Sequence, residues 1–165
     1  MAGRLIRTFG SLFYPHPTIE EDVPRQGAFG KLKMALVTDP LTTESLSIEC
    51  RIKSLTPKNY PEVLRSWQPD VVFIESAFHG KRGAWRYELA KQPKLLRLTK
   101  PTAIYSLVAF AKERGIPTIF WNKDDGAFFN AFIDVAQCCD HVFTTDSRCV
   151  PRYRQVLPQQ ATVHT

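Results

Sequence analysis

No apolar run in this sequence approaches the roughly 18 residues that a membrane-spanning helix requires, so an integral membrane protein is not expected. The opening stretch MAGRLIRTFGSLFYP carries positive charge but has neither a long apolar core nor a small-residue cleavage site, and it does not read as a secretory signal. Four cysteines (Cys50, Cys138, Cys139 and Cys149) lack the paired CxxC spacing of a zinc site, and no metal is expected. A bridge between adjacent Cys138 and Cys139 would be strained, so the four read as reduced thiols of a cytoplasmic protein. Internal repeats, low-complexity stretches and heptad seams are missing too. So are zinc-finger, RNA-recognition and helix-turn-helix signatures, and no nucleic-acid partner is expected.

What remains is an ordinary globular composition. With 165 residues, 44% hydrophobic and 23% charged, the chain has room for one domain with a proper core and not for two. A net charge of +6 and a pI near 9.3 point to anionic company, such as an anionic membrane face or a phosphate-bearing substrate. The charge is dispersed apart from two clusters, Lys81 with Arg82 and Arg86, and Arg148 with Arg152 and Arg154. Near the start, Leu5, Ile6, Phe9, Leu12 and Phe13 fall on one helical face beside Arg4 and Arg7. That pattern fits a helix lying peripherally on the inner membrane face, and equally a helix packed on its own domain. Residues 1–30, with Pro15, Pro17, Pro24 and Gly27, read as an extension and linker.

From residue 31 short β-like runs alternate with helical ones. Residues 33–38 (KMALVT) form a compact apolar run ending at the turn signal Asp39-Pro40. Residues 60–67 (YPEVLRSW) read as a short helix with Pro61 in its first turn. Residues 70–76 (DVVFIES) form a second strand after the breaker Gln68-Pro69. Thr99-Lys100-Pro101 opens a helix that repeats Ile104, Leu107, Val108 and Ala111 at helical spacing and stops at Gly115. Residues 116–121 (IPTIFW) are a third strand, 127–137 a helix, 141–145 (HVFTT) a fourth strand, 150–157 a short helix and 161–165 (ATVHT) the start of a fifth.

Strands separated by helices imply right-handed βαβ crossovers, hence a parallel sheet. Such a sheet is covered on both faces, which accounts for the continuously apolar VVFI and TIFW. The expected fold is therefore α/β: a Rossmann-like parallel sheet of about four or five strands flanked by helices, in a single domain over 31–165. Trp67 and Trp85 read as core residues, and His141 and His164 as structural ones.

In a parallel sheet every strand's C-terminal end lies at one edge, where open α/β sheets bind ligands. The residues that follow the first four runs are polar: Asp39 with Glu44; Glu75, Ser76, His79 and Arg82; Asn122, Lys123, Asp124 and Asp125; Thr145 and Asp146. Asp39, Asn122 and Asp146 also suit turns and helix N-caps. Glu75 directly follows VVFI and is expected to be partly buried, where a carboxylate needs a partner or a raised pKa. The run 121–126 (WNKDDG) sets a large aromatic beside four ionisable or amide groups, more than a solvated turn requires.

At these residues the chain resembles the CgeB-type (spore maturation protein-like) glycosyltransferases, whose N-terminal domain is half of a GT-B fold. The stretches that carry the resemblance are TDPLTTESLSIEC (38–50), DVVFIESAFHGKRGAW (70–85), GIPTIFWNKDD (115–125) and DHVFTTDSRCVPRY (140–153). The family usually reads Asn-Lys-Glu-Asp-Pro with a His two residues on. Here the run is Asn122-Lys123-Asp124-Asp125-Gly126, followed by Ala127-Phe128. The resemblance implies transfer of a sugar from a nucleotide-sugar donor to a hydroxyl acceptor of glycan or polyol-phosphate type. Glu75 or Asp124 would be the base. His79 and Arg82 would meet acceptor or phosphate, and Asn122 and Asp146 would shape the cleft floor. Asp39, Glu44, Ser76, Lys123, Asp125 and Thr145 complete the candidate substrate-binding set. The family's donor sits in a second Rossmann-like domain, so the resemblance implies that this chain needs a donor-binding domain or partner chain and is inactive alone. The competing expectation is a non-enzymatic binding or interaction module. A phosphoacceptor receiver domain fits poorly, since it wants paired acids after the first strand and this chain has only Asp39 there.

Overall fold

In chain order the elements are β1 (Lys33–Val37), α1 (Pro40–Ser47), β2 (Arg51–Ser54), α2 (Tyr60–Glu62, continued by a π-helical turn over Val63–Trp67), β3 (Val71–Glu75), α3 (Ala103–Lys112), β4 (Thr118–Asn122), α4 (Phe129–Ala136), β5 (His141–Thr144), α5 (Val150–Val156) and β6 (Thr162–His164). This computed structural model describes residues 21–91 and 102–165. The amphipathic pattern near the start and the expected helix opening at residues 99–101 lie outside the described residues.

All neighbouring strands pair in parallel, in the order β2-β1-β3-β4-β5-β6. The fold is α/β, a Rossmann-like single sheet that has, among the described residues, six strands flanked by five helices. The strands expected from the apolar runs are present, and β2 is a sixth. Its sequence RIKS holds one strong apolar residue, Ile52, which is buried. Its outer side is covered by residues of the N-terminal extension. Asp22 donates its amide to the Ile52 carbonyl (2.8 Å), and Glu21 accepts from the Ser54 amide (3.1 Å) and from Lys81 (2.8 Å).

The strand order decides which face each helix covers. The chain moves one way from β1 to β2 and the opposite way in every later crossover. Right-handed crossovers therefore place α1 on one face and the other helices on the other. The two cores follow this division. The larger holds Val37, Val72, Ile74, Phe120 and Val142 beneath Leu64, Ile104, Leu107, Phe132 and Tyr153. The smaller holds Met34, Leu36, Ile52 and Val71, with Leu46 of α1, Phe73 and Ile119 packed against them. Beyond α1 no described residue covers the second face over β4 and β5, where Ile119, Trp121 and Phe143 are half-buried.

Trp67 and Trp85 are core residues, as expected, and the indole N–H of Trp85 donates to the Leu55 carbonyl at 2.8 Å. All four cysteines are free, and burial pushes the Cys139 thiol far above its ordinary pKa. No helix among the described residues is long and apolar enough to cross a membrane.

Candidate functional site

Strands β1 and β3 are neighbours whose onward connections leave in opposite directions, so their C-terminal ends border a crevice, the topological switch point of the sheet. Three charged residues from three strand ends meet there. Glu75, the last residue of β3, is completely buried. Its Oε2 accepts the Asp39 backbone N–H at 2.9 Å, and its Oε1 is ion-paired with the Lys123 ammonium. The Lys123 Nζ also lies 3.5 Å from the Asp39 carboxylate. A carboxylate taken out of water needs such a partner, and Lys123, next after β4, is where the parallel register delivers one. Burial alone would lower the Lys123 pKa; the hydrogen bond to Glu75 and the charges of Glu75, Asp39 and Asp124 outweigh it and hold it above the ordinary lysine value. Asp39 occupies the N-cap position of α1 without capping it through its side chain, so its carboxylate is left to face Lys123.

A second group of residues holds the loop after β4. The Ser76 hydroxyl donates to the Asp124 carboxylate (3.0 Å) and accepts the Lys123 N–H (3.1 Å). Buried Asn122 donates to Asp125 Oδ1 (2.7 Å) and to the Tyr153 hydroxyl (2.9 Å), while its Oδ1 accepts the Asp124 N–H (3.3 Å). Tyr153, buried in α5, donates to Asp125 Oδ1 at 3.1 Å. Burial pushes the Asp125 carboxyl above its usual range, with the Asp146 charge adding and Thr144, Tyr153 and Arg152 opposing. Burial likewise raises the Tyr153 phenol. Gly126 turns the loop at φ +91°, and a Cβ there would sit 3.3 Å from the Asp146 carboxylate. Proline, with φ fixed near about −65°, cannot adopt that turn, so the loop departs in backbone as well as in sequence from the Asn-Lys-Glu-Asp-Pro pattern.

The expected residues thus divide. Asp39, Glu75, Ser76, Asn122, Lys123, Asp124 and Asp125 form one connected set. Thr145 and Asp146 stand at the same edge; the Thr145 hydroxyl donates to the Lys123 carbonyl at 3.2 Å. The Asp146 carboxylate is spent on Arg148, capping its backbone N–H at 2.9 Å and pairing with its guanidinium at 2.8 Å. That bonding pulls the Asp146 pKa below its ordinary value. Glu44, His79 and Arg82 are exposed, and no side-chain hydrogen bond or ion pair joins them to the set among the described residues. Tyr153 was not among the expected residues, because an aromatic on the apolar face of a short helix gives no sign of where its hydroxyl points.

Three carboxylates around one ammonium can accept hydrogen bonds from ligand hydroxyls. Glu75 is buried, whereas Asp39 and Asp124 are half-buried and reachable by a ligand, and Asp124 is further oriented by the Ser76 hydroxyl. No group of three or more His, Cys, Asp or Glu side chains among the described residues is placed to hold a metal ion. Comparisons with protein-family models, curated proteins and solved structures give no match.

Proposed function

We propose that the switch-point crevice is the acceptor-side half of a glycosyl-transfer site, of the kind implied by the resemblance to the CgeB-type glycosyltransferases. The observation that carries the reading is the Asp39–Lys123–Glu75 network, which unites three strand ends where open α/β sheets take their ligands. In this reading Asp124 takes the proton of the acceptor hydroxyl as the hydroxyl oxygen attacks the sugar's anomeric carbon, and the nucleoside diphosphate leaves with the bonding pair. Glu75 holds Lys123 in place. Lys123 sets its positive charge beside Asp39 and Asp124 at the mouth of the crevice. The nucleotide-sugar is supplied by a donor-binding domain or partner chain.

Calorimetry on the purified chain tests this. Neutral oligosaccharides are expected to bind, to lose at least tenfold in affinity in Asp124→Asn, and to compete with no nucleotide-sugar. Turnover of a nucleotide-sugar by the chain alone, or undiminished oligosaccharide binding by Asp124→Asn, contradicts the assignment.

A further inference from the structure

The acidic crevice opens onto a groove of very different character. On the face that α1 only partly covers, Phe73, Ile119, Trp121 and Phe143 from the sheet and Leu41 and Leu46 from α1 line a space of about 520 Å³. That volume lies in the range of small-molecule sites, about 300–1,000 Å³. Because the groove crosses from β1 to β5, it extends over three inter-strand spacings, about 14 Å. Among the described lining residues one is charged: Lys123, the same side chain that sits between Glu75 and Asp39. Thr42, in the first turn of α1, lines the groove close behind Asp39. The groove and the crevice are therefore one continuous surface, apolar along the sheet and polar at the strand ends.

We propose that the ligand is an amphiphile, with an uncharged hydroxyl-bearing head at Asp39, Lys123 and Asp124 and an alkyl or aryl tail in the groove against Trp121 and Phe143. The proposal rests on the acceptor-site reading above and adds the class of acceptor. Charge complementarity fixes the head. Lys123 is already shared by Glu75 and Asp39, with Asp124 beside it, so three carboxylates face one ammonium and an anionic head is repelled. Hydroxyl protons, by contrast, find ready acceptors. The tail gains from leaving water along a surface of aromatic and aliphatic side chains.

The test compares methyl glucoside, octyl glucoside below its micelle concentration and octyl sulfate, each titrated into the full chain and followed by calorimetry. Octyl glucoside is expected to bind at least tenfold more tightly than methyl glucoside and at least tenfold more tightly than octyl sulfate. Ser45 is exposed and lines the groove, so Ser45→Trp fills it without removing a core contact. That variant is expected to melt with the wild type, to keep methyl glucoside affinity and to lose the octyl advantage. Equal affinities for the two glucosides overturn the amphiphile and leave the crevice reading standing. Octyl sulfate binding as well as octyl glucoside overturns the head assignment. Two further results give the groove to another occupant and also sink the proposal: a tenfold rise in octyl glucoside affinity on deleting residues 2–14, or a chain dimer that octyl glucoside dissociates.

Discussion

At the scale of single residues the Glu75–Lys123 pair dominates. Glu75 has no solvent of its own, whereas the Lys123 side chain keeps 28% of its exposure. Lys123→Met leaves a buried carboxylate without a counter-charge and is expected to cost about 3 kcal/mol, the low end for breaking a buried pair because the lysine is partly wet. Glu75→Gln combined with Lys123→Met removes both charges and is expected to recover most of that loss; urea unfolding of the three proteins measures it. The lysine's pKa is raised on folding, so its contribution is complete below the ordinary value of 10.5 and fades as pH climbs through the higher native value. The stability gap between wild type and Lys123→Met should therefore narrow as pH rises into strong alkali. Asp125 runs the other way. Its raised carboxyl is held ionised at a cost in neutral solution, while Asn122 and Tyr153 both donate to one oxygen that an asparagine also offers. Asp125→Asn is expected to match or exceed wild-type stability at neutral pH by up to about 1 kcal/mol. That advantage should vanish as pH falls through the raised native pKa toward the ordinary 3.8. A loss of stability in Asp125→Asn at neutral pH contradicts the argument. Of these pairings the sequence discloses little: it predicts that buried Glu75 needs a partner, but parallel register, not spacing, selects Lys123.

At the scale of elements, legibility followed the apolar pattern. Strand β3 (VVFIE) and helix α3, which buries Ile104, Leu107, Val108 and Ala111, are visible because their burial is hydrophobic. Helix α1 is not visible: it buries Thr43 and Ser47, its mean hydropathy is low, and Asp39-Pro40 serves a turn and a helix start equally well. Strand β2 is four residues long with one strong apolar side chain, so it too escapes a periodicity argument. The start of α3 shows a different limit. Thr102 does not cap it; Glu88 does, its Oε2 accepting the amides of Thr102 (3.0 Å), Ala103 (2.9 Å) and Ile104 (3.4 Å) from fourteen to sixteen residues upstream. Glu88→Ala is expected to cost about 1–2 kcal/mol by removing both the acceptor and the favourable charge at a helix N-terminus, with a urea midpoint shift as readout. No shift would mean that α3 is held by its packing alone. For the loop after β4, Gly126→Ala is expected to cost about 1–2 kcal/mol, since φ +91° is strained for any L side chain. An unchanged midpoint would place that turn elsewhere in φ/ψ space.

At the scale of the whole molecule, strand order places the candidate site more than any motif does. A sequence of alternating strands and helices announces a parallel sheet, and hence a shared edge for Asp39, Glu75 and Lys123. It does not announce that β1 and β3 are neighbours, which is what opens a crevice between them, nor that α1 is the one described helix on the second face. Both facts come from the one reversal in strand order, and together they join an acidic rim to an apolar groove. The most direct test of this account is an amide chemical-shift titration of the full chain with a neutral oligosaccharide. The account predicts the largest shifts at Asp39, Glu75, Ser76 and residues 122–125, with Asp124→Asn abolishing them. Largest shifts at the opposite end of the sheet, around Gln68, Asp70 and Gly115, would contradict it.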